Sequence, residues 1–267
     1  MLKFSICIET VLNKFDFYDR PKIISEIGLD SIEFWDWIDK DKDLFLDALT
    51  NSNLRAEIFS GNRETSLITK NADKILTNEL SESLQYAKSI GCNKLMLLTD
   101  ALNPDGSVKL IDEGLSSIEK MQNLEKSLHA VEELSKNEKI FYLIEPLNTV
   151  KDHPGYYLNN PDILFDILMN NNFSNIYMLY DVYHMAKMKR NILKDINLYF
   201  EVIKHIHIAD LPDRTEPGSG NFDFKGLFLE LIKLGYEHLI GLEYFPTIDT
   251  TENIRKTAEY LNHFKNL

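Results

Sequence analysis

The stretch Ile140-Phe141-Tyr142-Leu143-Ile144-Glu145-Pro146-Leu147-Asn148 decides how the rest of the chain is read. An apolar run ends in a carboxylate, and Pro146 has no N–H to give a sheet ladder. A strand should therefore stop here, with Glu145 at its rim. A buried carboxylate is costly without a partner. Two later apolar runs also end in acids, at Asp181 and Glu243.

The same unit recurs outward from this stretch. Strand-like runs rich in β-formers occupy residues 2–8, 31–37, 54–59, 94–98, 140–144, 176–180, 203–209 and 239–244. Helical spacing covers residues 15–27, 43–51, 78–90, 111–136, 161–169, 192–200, 224–234 and 251–264. Gly28, Gly91 and Gly235 fall where helices stop, and Pro161 suits a first helical turn. Strict β-α alternation implies a parallel sheet, and eight such units match a closed (β/α)8 barrel. The expectation is an α/β chain forming a single (β/α)8 TIM barrel over residues 1–267. The competing doubly wound sheet would favour a Gly-rich turn after the first strand, and Glu9-Thr10-Val11-Leu12-Asn13 has none.

Composition bounds the partners. Of the 267 residues 44% are hydrophobic, enough for a sizeable core. The net charge of −13 disfavours a nucleic-acid partner, whose attraction rests on clustered Lys and Arg. A small anion held by one or two local bases stays compatible with it. Cys7 and Cys92 lie in apolar runs, as reduced core thiols of a cytoplasmic protein would. The N-terminus is too polar for a signal-peptide core, and no apolar run approaches the roughly 18 residues of a membrane span. No membrane partner is expected, and a homo-oligomer is compatible with the sequence.

In such a barrel the C-terminal strand ends form the catalytic face. Strand alternation assigns directions there. If Glu145 faces the axis, so do Leu143 and Phe141; if Glu243 does, so does Gly241; if His207 does, His205 lies one layer deeper. Glu145, Asp181, His207 and Glu243 stand one each at the ends of strands five to eight, 36, 26 and 36 residues apart. Any one of them alone reads as readily as a helix cap, an ion-pair partner or a core histidine. Four at matching strand ends read as a set. Three converging carboxylates repel unless a cation or protons intervene. Three oxygen ligands and one imidazole suit one divalent metal ion, Mn, Mg or Co rather than Zn.

Four segments in order, Ile144-Glu145-Pro146-Leu147-Asn148, Tyr180-Asp181-Val182-Tyr183-His184-Met185, Ala209-Asp210-Leu211-Pro212-Asp213-Arg214-Thr215-Glu216-Pro217 and Gly241-Leu242-Glu243-Tyr244, carry a more specific signal. Together they resemble the signature of the hydroxypyruvate isomerase family, within the xylose-isomerase-like barrels. The match covers about residues 140–246; the first half fits by rhythm. The resemblance implies that Glu145, Asp181, His207 and Glu243 bind the metal. It further implies that Glu145 and Glu243 are the catalytic acid/base pair and that His184 and Arg214 contact substrate. One position departs: hydroxypyruvate isomerases carry Gln where this chain has His207, and His there is usual in related sugar isomerases and 3-epimerases.

Aldose–ketose isomerisation moves a proton between neighbouring carbons through an enediolate. A divalent ion would stabilise its developing charge, and a glutamate on either side would serve as base and acid. The implied substrate is a small carbohydrate or keto acid, of the hydroxypyruvate to tartronate semialdehyde type. A ketose 3-epimerase or 2-oxotetronate isomerase would use the same site. His184 lies one helical turn beyond Asp181 if a helix begins there. It is otherwise a helix-surface histidine. Arg214 could grip a substrate carboxylate, or pair with Asp213 or Glu216. Glu9 and Glu33, near strands one and two, could reach the mouth and stay unassigned, and Trp35 and Trp37 read as packing, with one of them a candidate pocket wall. An apurinic endonuclease shares the barrel but needs histidines after strands three and four, where this chain has Phe59-Ser60-Gly61-Asn62 and Leu98-Thr99-Asp100-Ala101. A non-catalytic sugar-binding barrel would have no use for two glutamates in acid/base positions.

Overall fold

Strand β1 (Lys3–Cys7) pairs in parallel with β2 (Ser31–Phe34) on one side and with β8 (Leu239–Leu242) on the other, which closes the sheet on itself. Between them run β3 (Arg55–Ser60), β4 (Lys94–Leu97), β5 (Phe141–Ile144), β6 (Ile176–Asp181) and β7 (Ile203–Ile208), each beside its sequence neighbour. The computed structural model describes residues 2–109, 111 and 114–264. Among these residues the helices are α1 (Arg20–Ile27), α2 (Lys42–Ser52), α3 (Ala72–Ile90), α4 (Ser117–Ser135), α5 (Pro161–Asn171), α6 (Val182–Lys187), α7 (Ile192–Tyr199), α8 (Phe224–Leu234) and α9 (Thr251–Asn262). The expected (β/α)8 barrel is the observed one.

Alternation along the strands sorts the core into two layers. Outward-facing Phe4 meets Phe228 of α8, and Phe34 packs on Phe45 of α2 and stacks on Phe59 of β3. Inward-facing Ser5, Glu33, His205 and His207 meet inside the barrel, as the alternation of His205 and His207 with Ile206 and Ile208 implies. Tyr180 turns outward and donates to Asp195 of α7, which sends the next residue, Asp181, inward.

Several boundaries differ from the sequence reading, each for a local reason. The helix expected over 15–27 begins as a short 3-10 turn, Phe17–Asp19, capped by Asp16, before α1. The strand expected over 31–37 ends at Phe34, because the Glu9 carboxylate accepts the N–H groups of Trp35 and Asp36 and takes them out of the ladder. The helix expected over 78–90 extends back to Ala72. Within the helix expected over 111–136, residues 112–113 lie outside the described residues. The observed start at Ser117 follows from a capping box, in which Ser116 accepts from Glu119 N–H and Glu119 accepts from Ser116 N–H. The short α6 starts directly at Asp181, whose side chain is its cap. Among the described residues no helix is long and apolar enough to cross a membrane.

Candidate active site

The three acids and one imidazole expected at the ends of strands five to eight converge. Glu145 follows β5, its N–H donating to Leu97 O at 3.2 Å, the last ladder bond before Pro146. Asp181 ends β6, and its Oδ1 accepts from His184 N–H at 3.0 Å, so capping α6 and facing the site are divided between its two oxygens. His207 points in from β7, and Glu243 follows β8, its N–H donating to Ile208 O at 3.2 Å. One potential ligand atom from each of the four lies within 4.8 Å of all the others, and all four residues are buried.

The arrangement leaves buried atoms without partners. Among the described residues, Glu145 Oε1 and His207 Nδ1 make no hydrogen bond, and they face each other at 3.5 Å. His207 Nδ1 is also 3.3 Å from Glu243 Oε2. Buried polar atoms are almost always satisfied, and a cation among these oxygens and this nitrogen would satisfy them. Burial pushes Glu145 upward, resisted by His207. Asp181 is pushed up to about 7 by burial, with Arg214 opposing and Glu145 and Glu243 adding repulsion. Glu243 is held at about 2: burial works against ionisation, but Arg214 and then His207 outweigh it. Such mutual strain among acids is what a divalent ion relieves. The donor set, rich in oxygen, fits a hard or borderline ion.

A second group, Glu33 with His205 and His207, also has ligating geometry. Its carboxylate is already satisfied: Glu33 accepts from His205 Nε2 at 2.8 Å, from His207 Nε2 at 2.9 Å and from the Ser5 hydroxyl. It therefore reads as a support beneath the open site. A side chain at position 241 would fill that space, because a Cβ on Gly241 would stand 2.5 Å from Glu33 Oε1 and 2.7 Å from His207 Cδ2. Glycine is required there by close approach.

The two residues expected to touch substrate are also at this mouth. His184 is buried in α6 and lines a cavity of about 270 Å³ together with Glu145, Glu243 and Arg214. Asn148 orients it. Asn148 Oδ1 accepts from Lys151 and Asp152 N–H at 3.1 and 3.2 Å, so its Nδ2 is the group 2.6 Å from His184 Nδ1. An amide nitrogen only donates, which puts the His184 proton on Nε2, a buried atom with no described partner, 3.5 Å from Asp181 Oδ2. Burial, then Arg214 and His153, push this imidazole well down, so it is neutral. Arg214 sits between the rings of Tyr183 and Phe245, 5.4 and 5.6 Å from their centroids. Its Nη2 donates to Glu243 Oε2 and lies 3.8 Å from Asp181 Oδ2. Asp213 pairs instead with Lys151, and Glu216 with Thr247 and Asn253. Arg214 is thus engaged by the site's own acids.

Three residues stand differently from the sequence reading. Trp35, read as packing, donates Nε1–H to Glu243 Oε1 at 2.6 Å and lines the cavity. Period-two alternation from inward-facing Glu33 would have pointed to it. Glu9 does not reach the mouth; it holds the backbone after β2 and pairs with Lys40. Glu33 lies beneath the four residues rather than among them.

The comparisons agree with this architecture. A family model described as xylose isomerase-like TIM barrel matches residues 21–264. A putative hydroxypyruvate isomerase from Xenopus laevis is 28% identical over 260 residues, 93% of this chain and 91% of that protein. The hydroxypyruvate isomerase of Escherichia coli is 25% identical, over 97% of this chain and all of that protein. A crystal structure described as AP endonuclease, family 2, from Brucella melitensis superposes with a TM-score of 0.87 at 25% identity, covering 97% of this chain and 99% of its own. The chain belongs to the xylose isomerase-like TIM-barrel family, as one of its isomerases.

Proposed function

We propose that the chain is a metal-dependent aldose–ketose isomerase of a small hydroxy-keto acid, of the hydroxypyruvate to tartronate semialdehyde type. The observation that carries this reading is the convergence of Glu145, Asp181, His207 and Glu243, with unpartnered Glu145 Oε1 and His207 Nδ1 turned into one space. These four residues would hold one divalent ion, Mn, Mg or Co in preference to Zn given three carboxylates and one imidazole. When bound, the ion supplies Lewis-acid stabilisation to the oxygens that carry charge as the enediolate forms.

The chain's own groups supply the rest. Glu145 and Glu243, both lining the cavity, would take a proton from the hydroxyl-bearing carbon and return it to the former carbonyl carbon. The hydroxyl proton passes to the carbonyl oxygen in the same exchange, so the reaction is balanced without a co-reactant. Neutral His184 presents Nε2–H toward a substrate oxygen. Arg214 holds one face of the acid cluster and restrains Glu243. The names of the Xenopus laevis and Escherichia coli relatives support a three-carbon keto acid.

His207, where hydroxypyruvate isomerases carry Gln, favours a second reading: a ketose 3-epimerase or 2-oxotetronate isomerase using the same groups. The endonuclease reading finds less support, despite the Brucella melitensis likeness. The ends of β3 and β4 present Ser60, Asn62, Thr99 and Asp100 rather than histidine, and the charge of −13 repels a phosphate backbone.

The test is metal-stripped protein, reloaded in turn with Mn, Mg, Co and Zn and assayed on hydroxypyruvate, 2-oxotetronates and free ketoses. Turnover restored by Mn, Mg or Co on an acid is expected; silence on every substrate with every ion would sink the reading. Glu145→Gln and Glu243→Gln should each lower kcat by about 10²- to 10⁴-fold, and full activity in either variant removes that residue from the mechanism.

A further inference from the structure

Arg63 follows β3 on a loop that the fold holds rigidly. The Glu79 carboxylate of α3 accepts the N–H groups of Arg63, Glu64 and Thr65, the latter two at 2.9 and 3.0 Å. Asn62 ties the same loop to β4, with Nδ2 donating to Thr65 O at 2.7 Å and Leu98 O at 2.9 Å, and Oδ1 accepting from Leu98 N–H at 3.0 Å. A Cβ on Gly61 would stand 3.0–3.3 Å from Leu97, Leu95 and Leu80, so the start of the loop is closely packed. The side chain that this anchored loop presents lines the same cavity as Glu145, Glu243, His184 and Arg214.

The guanidinium itself is unmatched. Among the described residues it makes no hydrogen bond, and its ion pair, Nε to Asp36 Oδ2, is 3.8 Å long with the side chain only 22% exposed. A planar fork of five donors that faces a cavity without a hydrogen bond of its own is arranged for an acceptor that arrives from outside. The other charged base of the lining, Arg214, is engaged by Glu243 and Asp181.

We propose that Arg63 is the anion subsite of this cavity and receives the carboxylate of the substrate, making the enzyme selective for hydroxy-keto acids over neutral ketoses of the same length. The inference rests on the isomerase reading for its substrate and names the residue that sets the substrate's class. Arg214 remains with the acid cluster. A cavity of about 270 Å³, near the lower end of small-ligand sites, suits an acid of a few carbons bound by its carboxylate at one end and its reacting carbons at the other.

Steady-state kinetics of the Mn-loaded enzyme on hydroxypyruvate, a 2-oxotetronate, a neutral four-carbon ketose and a ketose phosphate test this. Arg63→Gln is expected to raise KM for the two acids about 10- to 100-fold, with kcat changed less than about threefold and the ketose unaffected. Arg63→Lys, a point charge without the fork, should recover part of the loss. Unchanged KM for the acids in Arg63→Gln overturns the proposal, as does a wild-type preference for the ketose or the phosphate. Calorimetric titration with glycerate, which has no carbonyl to isomerise, against glycerol supplies a readout independent of turnover. Glycerate binding weakened at least about tenfold in Arg63→Gln supports the subsite; equal binding overturns it. Arg63-dependent glycerate binding without turnover of any substrate would sink the isomerase reading alone. Turnover of acids indifferent to Arg63 would sink the subsite alone.

Discussion

Glu33 Oε2 stands 2.9 Å from His207 Nε2, a contact between residues 174 positions apart in sequence. Burial works against ionisation of Glu33, but His205 and His207 outweigh it, and an ionised carboxylate can only accept. His207 Nε2 therefore carries a proton, and Nδ1 is the atom turned toward Glu145 and Glu243. A carboxylate that fixes the tautomer of a ligating imidazole typically contributes 10- to 100-fold to metal affinity. Glu33→Gln, which cannot accept from both imidazoles with one oxygen, should weaken Mn binding by about that factor. Calorimetric titration of stripped protein measures it, and wild-type affinity would remove Glu33 from this role.

Gly241 should resist substitution for a related reason. A methyl at this position meets Glu33 and His207 at 2.5–2.7 Å. Gly241→Ala is expected to cost about 1–3 kcal/mol in urea unfolding and to weaken Mn binding in parallel. Stability and affinity both unchanged would show that the inner layer yields more than its packing suggests.

Trp35→Phe keeps an aromatic ring beside Phe245 but removes the N–H held 2.6 Å from Glu243 Oε1. Hydrogen bonds to charged groups are worth about 1.5–3 kcal/mol, so a fall in kcat of about tenfold or more is expected, with Tm little changed. A kcat equal to the wild type would make Trp35 a wall and nothing more.

Away from the site, Arg190 donates to Asp195, Asp162 and the Asn160 and Tyr199 oxygens, tying the start of α5 to α7. Asp195 is buried at 3% exposure. Arg190→Ala would leave it with Tyr180 OH as its remaining described side-chain donor. A partner removed from a buried charge costs about 3–5 kcal/mol, and because Arg190 is partly exposed about 2–3 kcal/mol is expected in urea unfolding. Kinetic constants measured below the transition should be near wild type.

Burial, then Lys94 and Lys204, push His238 down to about 4 from its ordinary 6.5. The unfolded chain binds this proton below pH 6.5 and the folded chain only near pH 4. The unfolded state thus holds more protons in that window, and stability falls as pH drops through it. His238→Gln should flatten the acid limb of a stability–pH curve between about 6.5 and 4. An identical slope in the variant would assign that limb to other groups.

The strand–helix rhythm, and with it the barrel, was legible because periodicity is local: each apolar run and each stop at Gly, Pro or a capping residue is written within a few positions. The set Glu145, Asp181, His207 and Glu243 was legible for the same reason, since each ends its own strand and parallel strands place their ends on one face. Only closure of the barrel decided what surrounds them. Pairing of β1 with β8 brings β2 beside the second half of the chain, so Glu33 reaches His207 and Trp35 reaches Glu243 across 208 positions. No spacing rule encodes such contacts, because they depend on how a closed, tilted sheet fills its interior. Nor could sequence tell the two arginines apart. Arg214 reads as a grip for substrate or as a partner of Asp213 or Glu216 and is engaged by Glu243, while Arg63, without a motif around it, is held at the cavity by Glu79 and its guanidinium makes no hydrogen bond among the described residues. Which cation is spent on the protein's own acids is a matter of where neighbouring carboxylates lie, and that distance exists only in the folded chain.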